Sequence, residues 1–176
     1  SMPIHPVDAT YAGIGSDIDY LTGTCLDEGS FFNALGVSPF QDRSEQLLTK
    51  FSIKKEDLLR SYLSARPELN SEEAATTMSA DMWFRVPTIR IAEGHTAGSK
   101  ARTFMYLFTW ESQFLGATHA MDGVVFGNGI PFGFLAGFNS PDKVSQQMRK
   151  SWINFAKYGD PSFDSFRWPE YLSLIH

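Results

Sequence analysis

Two widely separated stretches of the 176-residue chain carry side chains suited to proton transfer. "TCLDEGSFF" (24–32) sets Asp27 and Glu28 side by side in a turn closed by Gly29, with Phe31 and Phe32 following. "GATHAMDGVVFG" (116–127) holds His119, 91 positions after Glu28. A carboxylate that accepts the proton of one ring nitrogen fixes the histidine's tautomer and stabilises its cation, so the other nitrogen can serve as base to a nucleophile. The same residue types have plainer uses. An Asp-Glu pair in a turn is commonly a solvated corner, and a loop histidine is commonly a satisfied polar residue. Phe31 and Phe32 suit a core and a substrate pocket equally.

Such a couple needs elements that carry both halves to one place. "DIDYLTGT" (17–24) is an apolar run bounded by turn signals and reads as a buried strand. "RTFMYLFTW" (102–110) is aromatic and nearly free of polarity, as in a strand covered on both faces. Between them, "SIKKEDLLRSYLSAR" (52–66) puts Leu58, Leu59, Tyr62 and Leu63 at helical spacing behind a Ser52 cap. Asn70 with Glu73 opens a second helix in capping-box form, and Pro87 must kink or restart it. A last helix has Ser140 as cap, Pro141 and Asp142 in its first turn, and Val144, Met148, Trp152, Phe155 and Ala156 on one face. Gly159 and Asp160-Pro161 stop it. Strands separated by helices predict an α/β arrangement with parallel pairing. In such sheets the strand-to-helix loops open on one edge, where Glu28 and His119 would meet. Trp83, Phe104, Phe108, Trp110, Trp152, Phe155 and Trp168 are expected in the core.

Composition excludes several alternatives. With 43% hydrophobic residues the chain can bury a real core, and its length suits one domain or a large part of one. Fifteen Lys and Arg against 20 Asp and Glu give a net charge of −5, with no basic stripe to neutralise phosphates, so nucleic acid is not an expected partner. Cys25, the one cysteine, can make no internal disulfide, and four scattered histidines offer no zinc-ligand spacing, so no metal is expected. A lone thiol and the absence of a signal-peptide pattern in the first residues point to the cytoplasm. The uncharged run 123–141 carries too many glycines and prolines for a membrane helix, and reads as a buried or cavity-lining loop.

"GTCLDEGSFF", "DMWFRVPTIRIAE", "RTFMYLFTW", "GATHAMDGVVFG" and "SWINFAKYGDPSFDSFRWPEY", in this order, resemble the carboxyl-terminal portion of the type-B carboxylesterases. These are α/β-hydrolases that include cholinesterases and bacterial para-nitrobenzyl esterases. The resemblance runs from about Asp17 to Tyr171 and implies a helix-rich, carboxyl-terminal segment of an α/β-hydrolase fold with a few strands of the central sheet. It implies that Glu28 is the triad acid, that His119 is the triad histidine, and that Phe31 and Phe32 line the substrate gorge. Asp27 becomes a structural neighbour of the acid. Asp122 falls on an acidic position usually filled by Glu, and Asp81 and Pro87 on structural positions. No cofactor is implied, and the expected partner is a small-molecule ester.

The family's nucleophile lies upstream in a Gly-x-Ser-x-Gly elbow, with an oxyanion hole from a glycine-rich loop. Neither motif occurs in the 176 residues; Ser16 in "GIGSD" and Ser30 in "DEGSF" lack the flanking glycines. The expectation is therefore a segment that supplies acid and histidine while an amino-terminal part of the same protein supplies the serine. Alone, it would be inactive and prone to self-association through unpaired strand edges. A non-catalytic cholinesterase-like binding module, a helical interaction module of shared ancestry, and an esterase of another acyl class stay open beside it.

Overall fold

The computed structural model describes residues 3–37, 41–123, 137 and 142–171, with backbone alone at 41 and 42. The glycine-rich run and the Ser140-Pro141 start of the last helix lie outside the described residues.

Two parallel strands form the centre. β1 (Tyr20–Cys25) pairs with β2 (Thr103–Phe108) in the register Tyr20↔Thr103 through Cys25↔Phe108. Both strands therefore end side by side, and the chain leaving each one emerges on the same edge. β1 starts later than the sequence pattern suggests, because the Asp19 carboxylate accepts the Arg102 N–H at 2.8 Å and the Arg102 guanidinium at 3.1 Å. That bond stitches the strand entrances together. On β2, Thr103, Phe104 and Phe108 are buried but Leu107 is 46% exposed, so coverage of both faces is incomplete within this chain.

The crossover from β1 to β2 is helical. After α1 (Pro6–Tyr11), which precedes β1, come α2 (Ser30–Ala34), α3 (Gln41–Lys50), α4 (Lys55–Ala65), α5 (Ser71–Ala80) and α6 (Val86–Gly98). Ser52 does not cap α4. It sits at φ +56 and ends α3 instead: its N–H reaches the Thr49 carbonyl and the Ile53 N–H reaches Leu48, the paired bonds of a Schellman stop. Lys54 then stands at the α4 N-cap with no side-chain cap bond. The Asn70–Glu73 capping box is present in full.

Between α5 and α6 lies one turn of π-helix, Asp81–Arg85, closed by the Val86 N–H on the Asp81 carbonyl. Pro87, in the first turn of α6, has no N–H to give the carbonyl four residues back, and a widened turn absorbs the defect. The kink expected from Pro87 thus takes the form of a register shift rather than a new cap. The last described helix is α7 (Asp142–Tyr158), ended by Gly159 at φ +65 with its N–H on the Phe155 carbonyl.

The core knits the strand ends to the loop beyond β2. Cys25, Phe108, Ala117 and Met121 are buried together, with Leu26, Phe31, Tyr106, Trp110, Leu115, Val144 and Met148 packed around them. Of the expected core aromatics, Phe104 and Phe108 are fully buried, whereas Trp83, Trp110, Trp152, Phe155 and Trp168 are half-buried. Ala156, expected on the packed face of α7, is exposed. Among the described residues, no helix is long and apolar enough to cross a membrane.

Candidate active site

The turn after β1 delivers the acid. Glu28 is 7% exposed, and its Oε1 accepts the N–H of Cys25, the last residue of β1, at 2.7 Å. That bond curls the turn back on the strand and fixes one carboxylate oxygen. Gly29 is required here for space, since a Cβ would lie 2.4 Å from the Thr76 methyl of α5. The glycine of the turn thus answers to a neighbouring helix.

The other oxygen meets the histidine. His119 Nδ1 lies 2.6 Å from Glu28 Oε2. An ionised carboxylate only accepts, so Nδ1 carries the proton and the Nε2 lone pair is left for chemistry. Nε2 has no hydrogen-bond partner among the described residues. The bond to Glu28 holds the His119 pKa above the usual imidazole value; burial opposes this, and the charges of Glu28 and Asp122 reinforce it.

Two aromatic rings flank the histidine. Phe32 lies 5.3 Å and Phe84 4.9 Å from the His119 ring, centroid to centroid, and the two phenylalanines are nearly parallel to each other. Phe31 stands edge-on to Phe32 at 5.5 Å and packs on the core cluster, so the pair divides: Phe32 touches the imidazole and Phe31 backs Phe32.

Asp122 lies beneath the site. Its Oδ2 accepts the Tyr106 hydroxyl at 2.7 Å, a bond made possible because Tyr106 lies flat over its cross-strand partner Gly23. Burial, with Asp122 and Glu28 nearby, pushes the Cys25 thiol up to about 12, so it is inert at neutral pH. Among the described residues, no group of three His, Cys, Asp or Glu side chains could hold a metal ion.

The sequence reading missed Phe84 and Arg85. Both belong to the π turn. Arg85 donates to the carbonyls of Leu26 at 3.0 Å and Cys25 at 3.4 Å and pairs with Asp81, whose other oxygen takes the Tyr62 hydroxyl. One irregular turn therefore braces the acid's backbone and covers a face of the histidine, a use that π turns often have. Pro87 inside a helical run was the available signal. Ala120, immediately after His119, sits at φ +63, a strained position for a non-glycine residue that nothing in the sequence announces.

An apolar cleft of about 550 Å³ lies between β2, α7 and 166–169, but none of Glu28, His119, Phe32 and Phe84 lines it.

The parallel pair, its helical crossover and an acid–histidine couple at the strand ends define a helix-rich part of an α/β-hydrolase fold. The chain belongs to the carboxylesterase family, whose model matches residues 1–174. It is 28% identical to human (Homo sapiens) bile salt-activated lipase over 92% of its own length and 24% of that protein's. It is 29% identical to the para-nitrobenzyl esterase of Bacillus subtilis (strain 168) over 97% of its length and 35% of that protein's. A solved PNB esterase superposes on 97% of the chain with a TM-score of 0.73 and 28% identity, the match covering 36% of that structure. The chain thus spans about a quarter to a third of the length of the relatives it matches.

Proposed function

We propose that this chain supplies the acid and the base of a carboxylesterase that hydrolyses carboxylic esters through a Ser-Glu-His triad, with Glu28 as acid and His119 as base. The observation that carries this reading is the 2.6 Å contact between Glu28 Oε2 and His119 Nδ1 in a chain of this family. His119 Nε2 takes the serine proton as the serine oxygen attacks the ester carbonyl, and Glu28 stabilises the imidazolium that forms. The proton then goes to the leaving alcohol. Water attacks the acyl-enzyme with Nε2 again as base, and release of the acid restores the serine. Phe32, with Phe31 behind it, forms an apolar wall beside the reacting carbonyl. The reading uses no cofactor or metal.

The serine belongs, in this proposal, to an amino-terminal part of the same protein, and residues 1–176 are the carboxyl-terminal part of one domain. Ser30 supports this: its hydroxyl donates to the Asp27 carbonyl at 3.0 Å and is committed to the turn. Without its neighbours the 176-residue chain would be inactive and would self-associate through open strand edges.

The test is hydrolysis of a para-nitrophenyl ester by the intact gene product and by the 176-residue chain, each also treated with a fluorophosphonate probe. The intact protein should turn over and label once, and the chain should do neither. Labelling of the isolated chain would make Ser16 or Ser30 the nucleophile. An intact protein that neither labels nor hydrolyses would be a cholinesterase-like binding module.

A further inference from the structure

Asp27 and Glu28 are adjacent in sequence, yet they reach the loop beyond β2 by different means. Glu28 holds a side chain, whereas Asp27 holds the backbone two residues before it. The Asp27 N–H donates to the Ala117 carbonyl at 3.0 Å, and Asp27 Oδ2 accepts the Ala117 N–H at 3.0 Å. The two segments run parallel there, forming an isolated bridge between Asp27 and Thr118 just past the end of β1. Ala117 and Thr118 are wholly buried.

Gly116 completes the contact. It has φ +65, and a Cβ there would lie 2.6 Å from Asp27 Oδ2, so the carboxylate is seated against bare glycine backbone. The strained Ala120 follows His119 directly. The histidine is thus held between a clamped dipeptide and a residue in an unfavourable conformation, and the clamp must offset that strain.

We propose that Asp27 is a positioning residue that sets the depth at which His119 meets Glu28, acting through the Ala117 N–H and not by its charge. This rests on the reading of Glu28 and His119 as acid and base. The Asp27–Ala117 bond fixes the backbone to a few tenths of an ångström, and a carboxylate–imidazole bond of 2.6 Å tolerates little drift. An amide at 27 keeps an acceptor oxygen and serves as well as the acid. A methyl does not.

The experiment follows the His119 ring by NMR through a pH titration of the intact gene product, reading its pKa and the Nδ1 proton. Glu28 bonds the ring, Phe32 and Phe84 face it, the charge of Asp122 acts on it, and all four stay unchanged in each variant. Asp27→Asn should leave both signals near wild type. Asp27→Ala should lower the pKa toward the free-imidazole value and broaden the Nδ1 proton as the bond to Glu28 lengthens. If Asp27→Ala does not fold, Gly116→Ala, which drives a methyl against the carboxylate, takes its place with the same expected shift. A wild-type pKa and Nδ1 signal in the folded variant would overturn the proposal, as would an equal loss in Asp27→Asn. Failure of the intact protein to hydrolyse esters, with the NMR pattern as expected, would remove the esterase reading and leave the clamp standing.

Discussion

Phe84 forms one face of His119: their ring centroids are 4.9 Å apart, tilted by 45°, and the ring comes from the π turn instead of the loop that carries the histidine. Phe84 is only half-buried, so Phe84→Ala should cost less than a core truncation, about 1–2 kcal/mol. Phe84→Leu should recover most of it. Thermal melts of the two variants against wild type check this.

The raised pKa of His119 has a definite sign in a stability profile. A group whose folded pKa lies above its unfolded value stabilises fully below the unfolded pKa, near ~6.5 for histidine, and that contribution fades as pH rises through the folded pKa. The melting-temperature gap between wild type and His119→Gln should therefore be wider at pH 6 than at pH 9. A gap that widens with pH would mean the ring prefers to be neutral. For the intact protein, the rising limb of kcat/KM should have its midpoint above that of free imidazole, and Glu28→Gln should move it down.

Under the proposed triad, Glu28→Gln keeps the shape but removes the charge that would stabilise the imidazolium, and should cost roughly 10⁴ in kcat of the intact protein. His119→Ala should cost at least as much. Asp27→Asn and Asp122→Asn keep the acceptors used by Ala117 and Tyr106, and should cost about tenfold or less if they act only by long-range charge. Loss of turnover in Asp122→Asn with Glu28→Gln near wild type would show the wrong carboxylate named.

Gly23 gives a purely steric test. A Cβ there would lie 2.4 Å from the Tyr106 ring, so Gly23→Ala must displace the ring and its hydroxyl bond to Asp122. Destabilisation of about 1–3 kcal/mol is expected, with a fall in tyrosine near-ultraviolet dichroism. Gly36→Ala, where a Cβ meets nothing within 4 Å but φ is +66, should cost nearer 1 kcal/mol, from backbone strain alone.

Asn70→Ala should remove about 1 kcal/mol by stripping the cap from α5, read by denaturant melts. That cap was legible because its partners are three residues apart and the side chain bonds its own backbone. Parallel pairing and the approach of the acidic turn to His119 were legible because the topology of alternating elements puts loops on one edge, while the family resemblance picked Glu28 over Asp27. Ser52 misled because a serine between two helices can start one or end the other, and the choice rests on hydrogen bonds to Leu48 and Thr49 of α3, a helix the pattern did not reveal. Phe84 was hidden by its register: only the π turn, a response to Pro87 downstream, aims it at the histidine. The grip of Asp27 on Ala117 was illegible because its partner is a backbone amide, which every residue has.

Cys25 gives the site a built-in reporter. Its thiol is 1% exposed and pushed up to about 12, while its N–H holds Glu28 and its carbonyl receives Arg85. An alkylating reagent can reach that sulfur only when the end of β1 lifts away, so the rate of thiol modification at neutral pH measures how often the acid's mooring opens. As the chain's single cysteine, it needs no engineered label, and its alkylation can rank every variant above by the opening it permits.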